Sequence, residues 1–339
     1  MRTALLAWYA RHKRPLPWRR DRDGYRVWVS EIMLQQTRVA AVLEHYREFL
    51  ESFPTVEALA LAPVEQVLAR WSGLGYYRRA RMLHQAARVV VKESGGAIPR
   101  TVEELRKLPG IGRYTAAAIA SIAYGEPVAV VDGNVERVLS RLDGEPRTGA
   151  SAWRRAQELI DGRHAGTGWD AGDWNQAMME LGATLCTPQS PQCLVCPVRS
   201  WCRAPGAATG RPRGVRRRVQ IVRALIERRH RVYKHCVFLV QRAADAAKMA
   251  GMWELPECAA PSDGQKAELD ARELCVVRHS ITDTDYEVRV VRQRLGALGA
   301  REKKAGRWVS PEEMFELPLT GLTRKILRAQ RLLPSSGKH

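Results

Sequence analysis

The sequence predicts a multidomain chain, with an all-α domain followed by an α+β domain. Before residue 203, apolar residues recur at helical spacing, and no stretch shows the period of two that is typical of half-buried strands. Residues 204–219 are rich in proline, glycine, alanine and arginine, a composition typical of linkers. Beyond them, short apolar runs predict strands. We therefore expect domains at residues 1–203 and 220–339, joined by a basic linker at 204–219.

Helical spacing of apolar residues and flanking breakers define the elements of the first domain. The predicted helices are 3–12, 27–50 with a turn at the glutamines, 56–69, 79–92, 102–108, 115–123, 135–142, 153–161 and 173–185. In the second domain, strands are predicted at 221–226, 236–241, 275–278, 287–292 and 307–309, with a final helix at 321–332.

The charge balance indicates a polyanionic partner. The chain has 55 lysines and arginines against 36 acidic residues, a formal net charge of +19. Such an excess favours nucleic acid over an acidic metabolite, although a generally arginine-rich proteome would also produce it. No apolar run approaches the length that spans a bilayer, and the first ten residues lack a signal-peptide core. We expect a soluble, cytoplasmic, monomeric protein, associated with the nucleoid if bacterial, with no membrane partner.

A glycine-flanked turn and an aspartate lie about twenty residues apart in the stretch 108–134. Gly110 and Gly112 permit a tight turn before an alanine-rich helix, and free backbone N–H groups at such a position attract phosphate. A short apolar run then leads to Asp132. The stretch is also compatible with a helix-turn-helix core that carries a surface aspartate.

Four clustered cysteines predict a metal centre in a reducing compartment. The residues between them number six, two and five. Structural zinc usually draws on two short Cys-x2-Cys pairs, whereas one compact loop of four thiolates can hold a polynuclear centre. The spacing favours an iron–sulfur cluster with an architectural role, and its ligands would be Cys186, Cys193, Cys196 and Cys202.

Several motifs together resemble the helix-hairpin-helix DNA glycosylases, and the adenine-specific MutY type in particular. They are SEIMLQQT, GLGYY, LPGIGRYTA, VVDGNVERVL, NQAMMELGA and the cysteine loop. The resemblance implies a six-helix hairpin-containing module at roughly 20–130. It also implies a [4Fe-4S] module formed by the N-terminal helix with 131–203, and a Nudix-like lesion-recognition domain at 220–339. A Nudix pyrophosphatase box is absent from that last region, so we expect it to bind rather than hydrolyse.

The resemblance also implies the chemistry. Cleavage of an N-glycosidic bond needs a proton for the leaving base and negative charge beside the developing cation. These roles correspond to Glu31 and Asp132, with Asn134 and Tyr114 orienting the two carboxylates. Bifunctional relatives carry a nucleophilic lysine where this chain has Tyr114, so we expect a monofunctional glycosylase.

DNA contacts and the adenine pocket follow from the same resemblance. The hairpin amides would hold phosphates, and the side chains of Gln36, Leu74 and Tyr76 would wedge into the base stack. The expected DNA-binding residues are Gly110, Gly112, Gln36, Thr37, Leu74, Tyr76 and Thr282, and the expected pocket residues are Trp18, Arg19 and Glu180. The family usually carries Phe-Ser-His where this chain has Ile281-Thr282-Asp283, so we expect discrimination of the lesion to be weaker or differently built.

The expected substrate is double-stranded DNA containing adenine opposite 8-oxoguanine or guanine, and the expected reaction is hydrolysis of the adenine glycosidic bond after base flipping. Two alternatives remain open. One is a glycosylase of the same scaffold with another mismatch specificity, such as thymine opposite guanine. The other is a non-catalytic iron–sulfur protein that binds DNA.

Overall fold

The computed structural model describes residues 1–161, 170–207, 216–228, 235–246, 248–258, 273–281 and 284–333. The helices are α1 (Arg2–His12), α2 (Gly24–Leu34), α3 (Val39–Ser52), α4 (Val56–Leu61), α5 (Val64–Trp71), α6 (Arg78–Ser94), α7 (Val102–Leu105), α8 (Arg113–Tyr124), α9 (Gly133–Asp143), α10 (Gly149–Asp161), α11 (Ala171–Thr184), α12 (Ala300–Ala305), α13 (Pro311–Glu316) and α14 (Gly321–Ala329). The strands are β1 (Arg217–Leu225), β2 (Glu227–Arg228), β3 (Cys236–Gln241), β4 (Trp253–Glu254), β5 (Glu257–Cys258), β6 (Glu273–Ile281), β7 (Thr284–Arg292) and β8 (Gly306–Val309).

The chain divides into two compact units. The first consists of Met1–Leu61 and Met82–Pro212, and the second of Ala62–Arg81 and Arg213–His339. The segment Ala62–Arg81 therefore packs with the C-terminal residues, a grouping that the sequence pattern did not indicate. None of the helices in the described ranges combines the length and the apolar character needed to cross a membrane.

The alanine-rich helix α8 is central to the first unit. It contacts both α2 and α11, and Ala116, Ala118 and Ala120 are fully buried. Small side chains permit this close packing: at Gly172 of α11, a Cβ atom would lie 2.6 Å from the Ser121 carbonyl oxygen. The arrangement brings three helices, each with a predicted site residue, next to one another.

Two of the predicted helices have a break. The predicted turn at the glutamines is confirmed, because α2 ends at Leu34 and α3 begins at Val39. The single helix predicted at 56–69 is wrong: α4 ends at Leu61, and α5 begins after Pro63. Proline has no backbone N–H and its ring clashes with the preceding turn, so it is tolerated at a helix start but not in the interior.

The second unit contains two sheets. In the first, the strand order is β5-β1-β7-β6, with β1 parallel to β7 and the other pairs antiparallel. In the second, β3 pairs with β2, β4 and β8, all antiparallel. The apolar face of α14, with Ile326 and Leu327, joins the core formed by Val288 and Val290 of β7. The predicted α+β character of this region is confirmed.

The hairpin between α7 and α8 depends on one glycine. Gly110 has a φ angle of +77°, and a Cβ atom there would lie 2.5 Å from the Met82 Cβ. At Gly112, by contrast, φ is −87° and a Cβ atom would meet open space. Ile111 between them is buried, so the turn is fixed while both glycines are exposed.

We predict that Gly110→Ala lowers the free energy of unfolding by about 2 kcal/mol or more, because it adds left-handed strain and a backbone-proximal clash. Gly112→Ala is the matched control and should cost less than about 1 kcal/mol, the usual effect at a helix N-cap. Urea denaturation of both variants measures the difference. Equal losses at the two positions would contradict this account of the hairpin.

Candidate active site

A cleft of about 450 Å³ opens in the first unit between α2, α8, α11 and the start of α9. It gathers nine of the site residues that the sequence predicted, although they lie far apart in the chain. Its lining includes Trp18, Arg19, Glu31, Gln36, Thr37, Tyr114, Asp132, Asn134 and Glu180. Its volume lies within the range typical of small-molecule and cofactor sites.

Glu31 is a buried carboxyl group in this cleft, 6% exposed. Burial raises the pKa of Glu31 to about 7; a hydrogen bond with Tyr114 opposes the rise, the negative charge of Asp132 adds to it, and Arg19 opposes it. The Tyr114 hydroxyl also lies 3.4 Å from Sδ of Met179. The carboxyl group is therefore poised to exchange a proton near neutral pH.

Asp132 is the N-cap of α9. Its Oδ1 accepts a hydrogen bond from the Val135 N–H at 2.8 Å, and its Oδ2 accepts one from the Asn134 amide at 2.9 Å. A negative charge is favourable at a helix N-terminus. Both carboxylate oxygens are therefore held in place at the wall of the cleft.

Arg137 extends this hydrogen-bonded arrangement toward the cysteine loop. Its Nη2 donates to Oδ1 of Asn134 and to the Gly182 carbonyl, both at 2.8 Å, and its Nε donates to the Cys186 carbonyl at 2.7 Å. Sequence reasoning missed Arg137. Its position five residues after Asp132, one turn beyond Asn134 on the same face of α9, was the available signal.

Glu180 lies at the opposite wall, and it is almost fully buried. Burial alone would raise its pKa, but hydrogen bonds from Arg14 and Arg19 outweigh that effect and lower the pKa of Glu180 to about 2. Arg14 Nε and Arg19 Nη2 approach the carboxylate at 2.7 and 2.9 Å. Glu180 therefore holds two guanidinium groups at the cleft. Arg14 was missed, because nothing in its sequence context indicates a partner 166 residues away.

Two further residues of the cleft have informative surroundings. Trp18 is 7% exposed and packs edge-on against Tyr46, with ring centroids 5.3 Å apart. Gln36 has a φ angle of +56°, a strained conformation for a residue other than glycine. Such backbone strain clusters at functional sites, so it indicates that Gln36 is a functional residue.

Two further predicted residues, Leu74 and Tyr76, belong to the second unit. Tyr76 also has a positive φ angle, +48°, and is 44% exposed, whereas the side chain of Leu74 is buried. Thr282 lies outside the described residues. The roles predicted for individual DNA-contact residues stay predictions.

The four clustered cysteines line one cavity together with Val138, Arg141 and Leu181. Within the described ranges, no three His, Cys, Asp or Glu side chains form a group suited to a single metal ion. Arg141 is buried beside the cysteines, and its Nη1 lies 3.1 Å from the Cys186 sulfur. Four sulfur donors around one cavity with a buried cation fit an anionic polynuclear cluster.

Comparison with known families identifies both modules. Residues 29–160 match the HhH-GPD superfamily of base excision DNA repair proteins, and residues 186–202 match the iron–sulfur binding domain of endonuclease III. Residues 29–160 therefore form a module of the HhH-GPD superfamily, and the cysteine loop binds a [4Fe-4S] cluster.

The curated relatives that the chain resembles are adenine DNA glycosylases. The chain is 51% identical over 218 residues to the human adenine DNA glycosylase, a match covering 60% of this chain and 39% of the human protein. It is 43% identical over 204 residues to the adenine DNA glycosylase of Mycobacterium tuberculosis, covering 59% of this chain and 66% of that protein. The chain thus spans less than two thirds of these relatives.

The fold of the first unit is also similar to a solved structure. A thermostable thymine-DNA glycosylase superposes with a TM-score of 0.53 at 29% identity, covering 59% of this chain and 93% of that chain. This similarity supports the helical glycosylase fold.

We predict that Glu31→Gln stabilises the protein in a pH-dependent way. Because the folded-state pKa is raised from 4.5 to about 7, the ionised carboxyl group destabilises the folded state increasingly as pH rises from about 4.5 to 7. Glutamine removes that charge. Its advantage should be near zero at pH 4 and reach about 3 kcal/mol above pH 7, which urea denaturation across this range measures. An advantage that does not vary with pH would contradict the assignment.

Proposed function

We propose that the protein is a monofunctional DNA glycosylase that removes adenine paired with 8-oxoguanine or guanine in double-stranded DNA. The observation that carries this proposal is the pair of acidic side chains in one cleft, the buried Glu31 and the helix-capping Asp132. Similarity to adenine DNA glycosylases over 60% of the chain supports the choice of base.

Glu31 is the proton donor in this proposal. Adenine is a poor leaving group unless one of its ring nitrogens is protonated. The reaction therefore requires an acid that retains its proton near neutral pH. A pKa of about 7 keeps a large fraction of Glu31 protonated at that pH. Tyr114 orients the carboxyl group through its hydroxyl. After the base departs, the ionised Glu31 is positioned to accept a proton from the attacking water.

Asp132 stabilises the cation that develops on the sugar. Hydrogen bonds from Val135 and Asn134 fix its two oxygens, so no reorganisation is needed when positive charge appears. Arg137 in turn positions Asn134 and contacts the backbone at Cys186. The cluster, held by the four cysteines, would thereby brace the segment that supports the catalytic carboxylate.

The absence of a lyase step follows from the lining of the cleft. Among the described residues that line it, arginines occur but lysines do not. The family resemblance implies that Tyr114 stands where bifunctional relatives carry a nucleophilic lysine. A protonated guanidinium group cannot form a Schiff base with the sugar. We therefore infer that the product is an abasic site in an intact strand.

Each unit carries residues that are suited to contact a duplex. The exposed hairpin glycines precede α8, whose N-terminus has no side-chain cap, so its free backbone N–H groups can donate hydrogen bonds to a phosphate. Flipping an adenine out of the stack costs a few kcal/mol. Gln36 and Tyr76, both in strained and exposed conformations, are suited to fill the space. We infer that residues 220–339 have a Nudix-like fold that reads the opposite base.

The direct test is release of adenine from duplexes with adenine opposite 8-oxoguanine, guanine or cytosine, and of thymine opposite guanine. We expect adenine release in the first two, and little release of thymine. Asp132→Asn should slow adenine release by about 10²–10³-fold or more, because the preorganised charge is lost. Duplex binding should change little.

Asp161→Asn, at the exposed end of α10, is the matched control and should retain full activity. Undiminished turnover by Asp132→Asn would contradict the mechanism. Release of thymine in preference to adenine would instead favour the mismatch glycosylase alternative, and duplex binding without release of either base would favour a non-catalytic protein.

A further inference from the structure

The turn that carries Leu74 and Tyr76, residues 72–77 between α5 and α6, is packed as part of the C-terminal unit. Side chains at its two ends donate hydrogen bonds to its backbone carbonyl groups. The Trp71 indole N–H donates to the Gly75 carbonyl at 3.1 Å, and Arg79 donates to the carbonyl groups of Leu74 and Gly75 at 3.2 and 3.3 Å. The turn is therefore a shaped, rigid structure rather than a loose connection.

One carbonyl group of the C-terminal residues secures this turn at both of its ends. The Leu319 carbonyl accepts a hydrogen bond from Oγ of Ser72 at 2.5 Å and one from the Tyr77 hydroxyl at 3.1 Å. Arg324 of α14 donates from Nε to Oγ of Ser72 at 3.0 Å. Ser72, Tyr77 and Leu319 are all buried, so water cannot readily replace these bonds.

The Leu319 carbonyl is itself held by the sheet. The Trp253 N–H of β4 donates to the Pro318 carbonyl, and the Thr320 N–H donates to the Trp253 carbonyl, both at 2.9 Å. Thr320 is also the side-chain cap of α14, where it accepts from the Thr323 N–H. The acceptor is thus fixed on both sides, by a strand and by the start of a helix.

Tyr76 is the exposed aromatic residue of this rigid turn. It is 44% exposed and has a φ angle of +48°, whereas Ser72 and Tyr77 beside it are 2% and 6% exposed. A strained conformation persists only where its surroundings impose it. Here the surroundings are the hydrogen bonds to Leu319 and from Arg324.

We propose that Ser72, Tyr77 and Arg324 are positioning residues for base flipping: they fasten the turn of Tyr76 to the C-terminal residues, so that the aromatic ring is presented to DNA preorganised. This inference rests on the proposed function, because a wedge is needed only if a base leaves the stack. It makes the C-terminal unit a contributor to flipping, in addition to any contact of its own with the opposite base.

The test uses the full-length protein with Tyr77→Phe, Ser72→Ala and the double variant. Tyr286→Phe, in β7 of the same unit, is the matched control. Single-turnover adenine release is measured opposite 8-oxoguanine. Flipping is followed separately by the fluorescence of 2-aminopurine in place of the target adenine, which rises when the base leaves the stack. Duplex affinity, iron content and the unfolding midpoint establish that each variant is folded.

We expect the double variant to lose about tenfold or more in single-turnover rate and most of the fluorescence rise, with duplex affinity within about threefold of the wild type. Tyr77→Phe alone removes one hydroxyl group and should show a smaller loss of both. Tyr286→Phe should match the wild type. Should the double variant fold poorly, the comparison of rate and fluorescence between Tyr77→Phe and the wild type decides whether the inference holds.

Undiminished fluorescence in folded variants overturns the inference, and so does an unchanged rate. The proposed function fails in a different way: the wild type itself would then release no adenine. In that case the fluorescence comparison still shows whether the turn governs flipping.

Discussion

Burial of one acidic side chain beside a second governs the chemistry of this protein. Glu31 is buried on α2 and feels the charge of Asp132, so that its pKa lies near 7. Asp132 is stabilised differently, by a helix N-terminus and two hydrogen bonds. Two groups of the same chemical type thus have different environments: burial favours the protonated form of Glu31, whereas hydrogen bonds hold both oxygens of Asp132 in place.

The rest of the first unit maintains this difference in environment between Glu31 and Asp132. Small residues on α8 let α2 and α11 approach closely, which keeps water from Glu31. At the other wall, Arg14 and Arg19 neutralise Glu180, so a third buried carboxylate does not disturb the first two. Arg137 connects the Asn134 side chain to the backbone at Cys186. The cysteine loop therefore contributes to the geometry of the site, although its cluster takes no part in the proton transfers.

Much of this arrangement is predictable from sequence, and the limits have physical reasons. Hydrophobic spacing and motifs predicted the helices, the hairpin, the cysteine loop and the residues of the cleft, because these signals are local or belong to a family pattern. The break at Pro63 was also visible in the sequence but was overlooked. The pairing of Arg14 with Glu180 and the attachment of Ser72 to Leu319 are tertiary contacts across 166 and 247 residues. No periodicity encodes such contacts.

The central claim is that Glu31 must be protonated for adenine to leave. The pH dependence of the single-turnover rate of adenine release, measured on one duplex with adenine opposite 8-oxoguanine, tests it most directly. The rate should be level below about pH 6 and fall about tenfold for each further pH unit above about 7, as the acid form is lost. A rate that is level, or that rises, from pH 6 to 9 would show that Glu31 is not the acid.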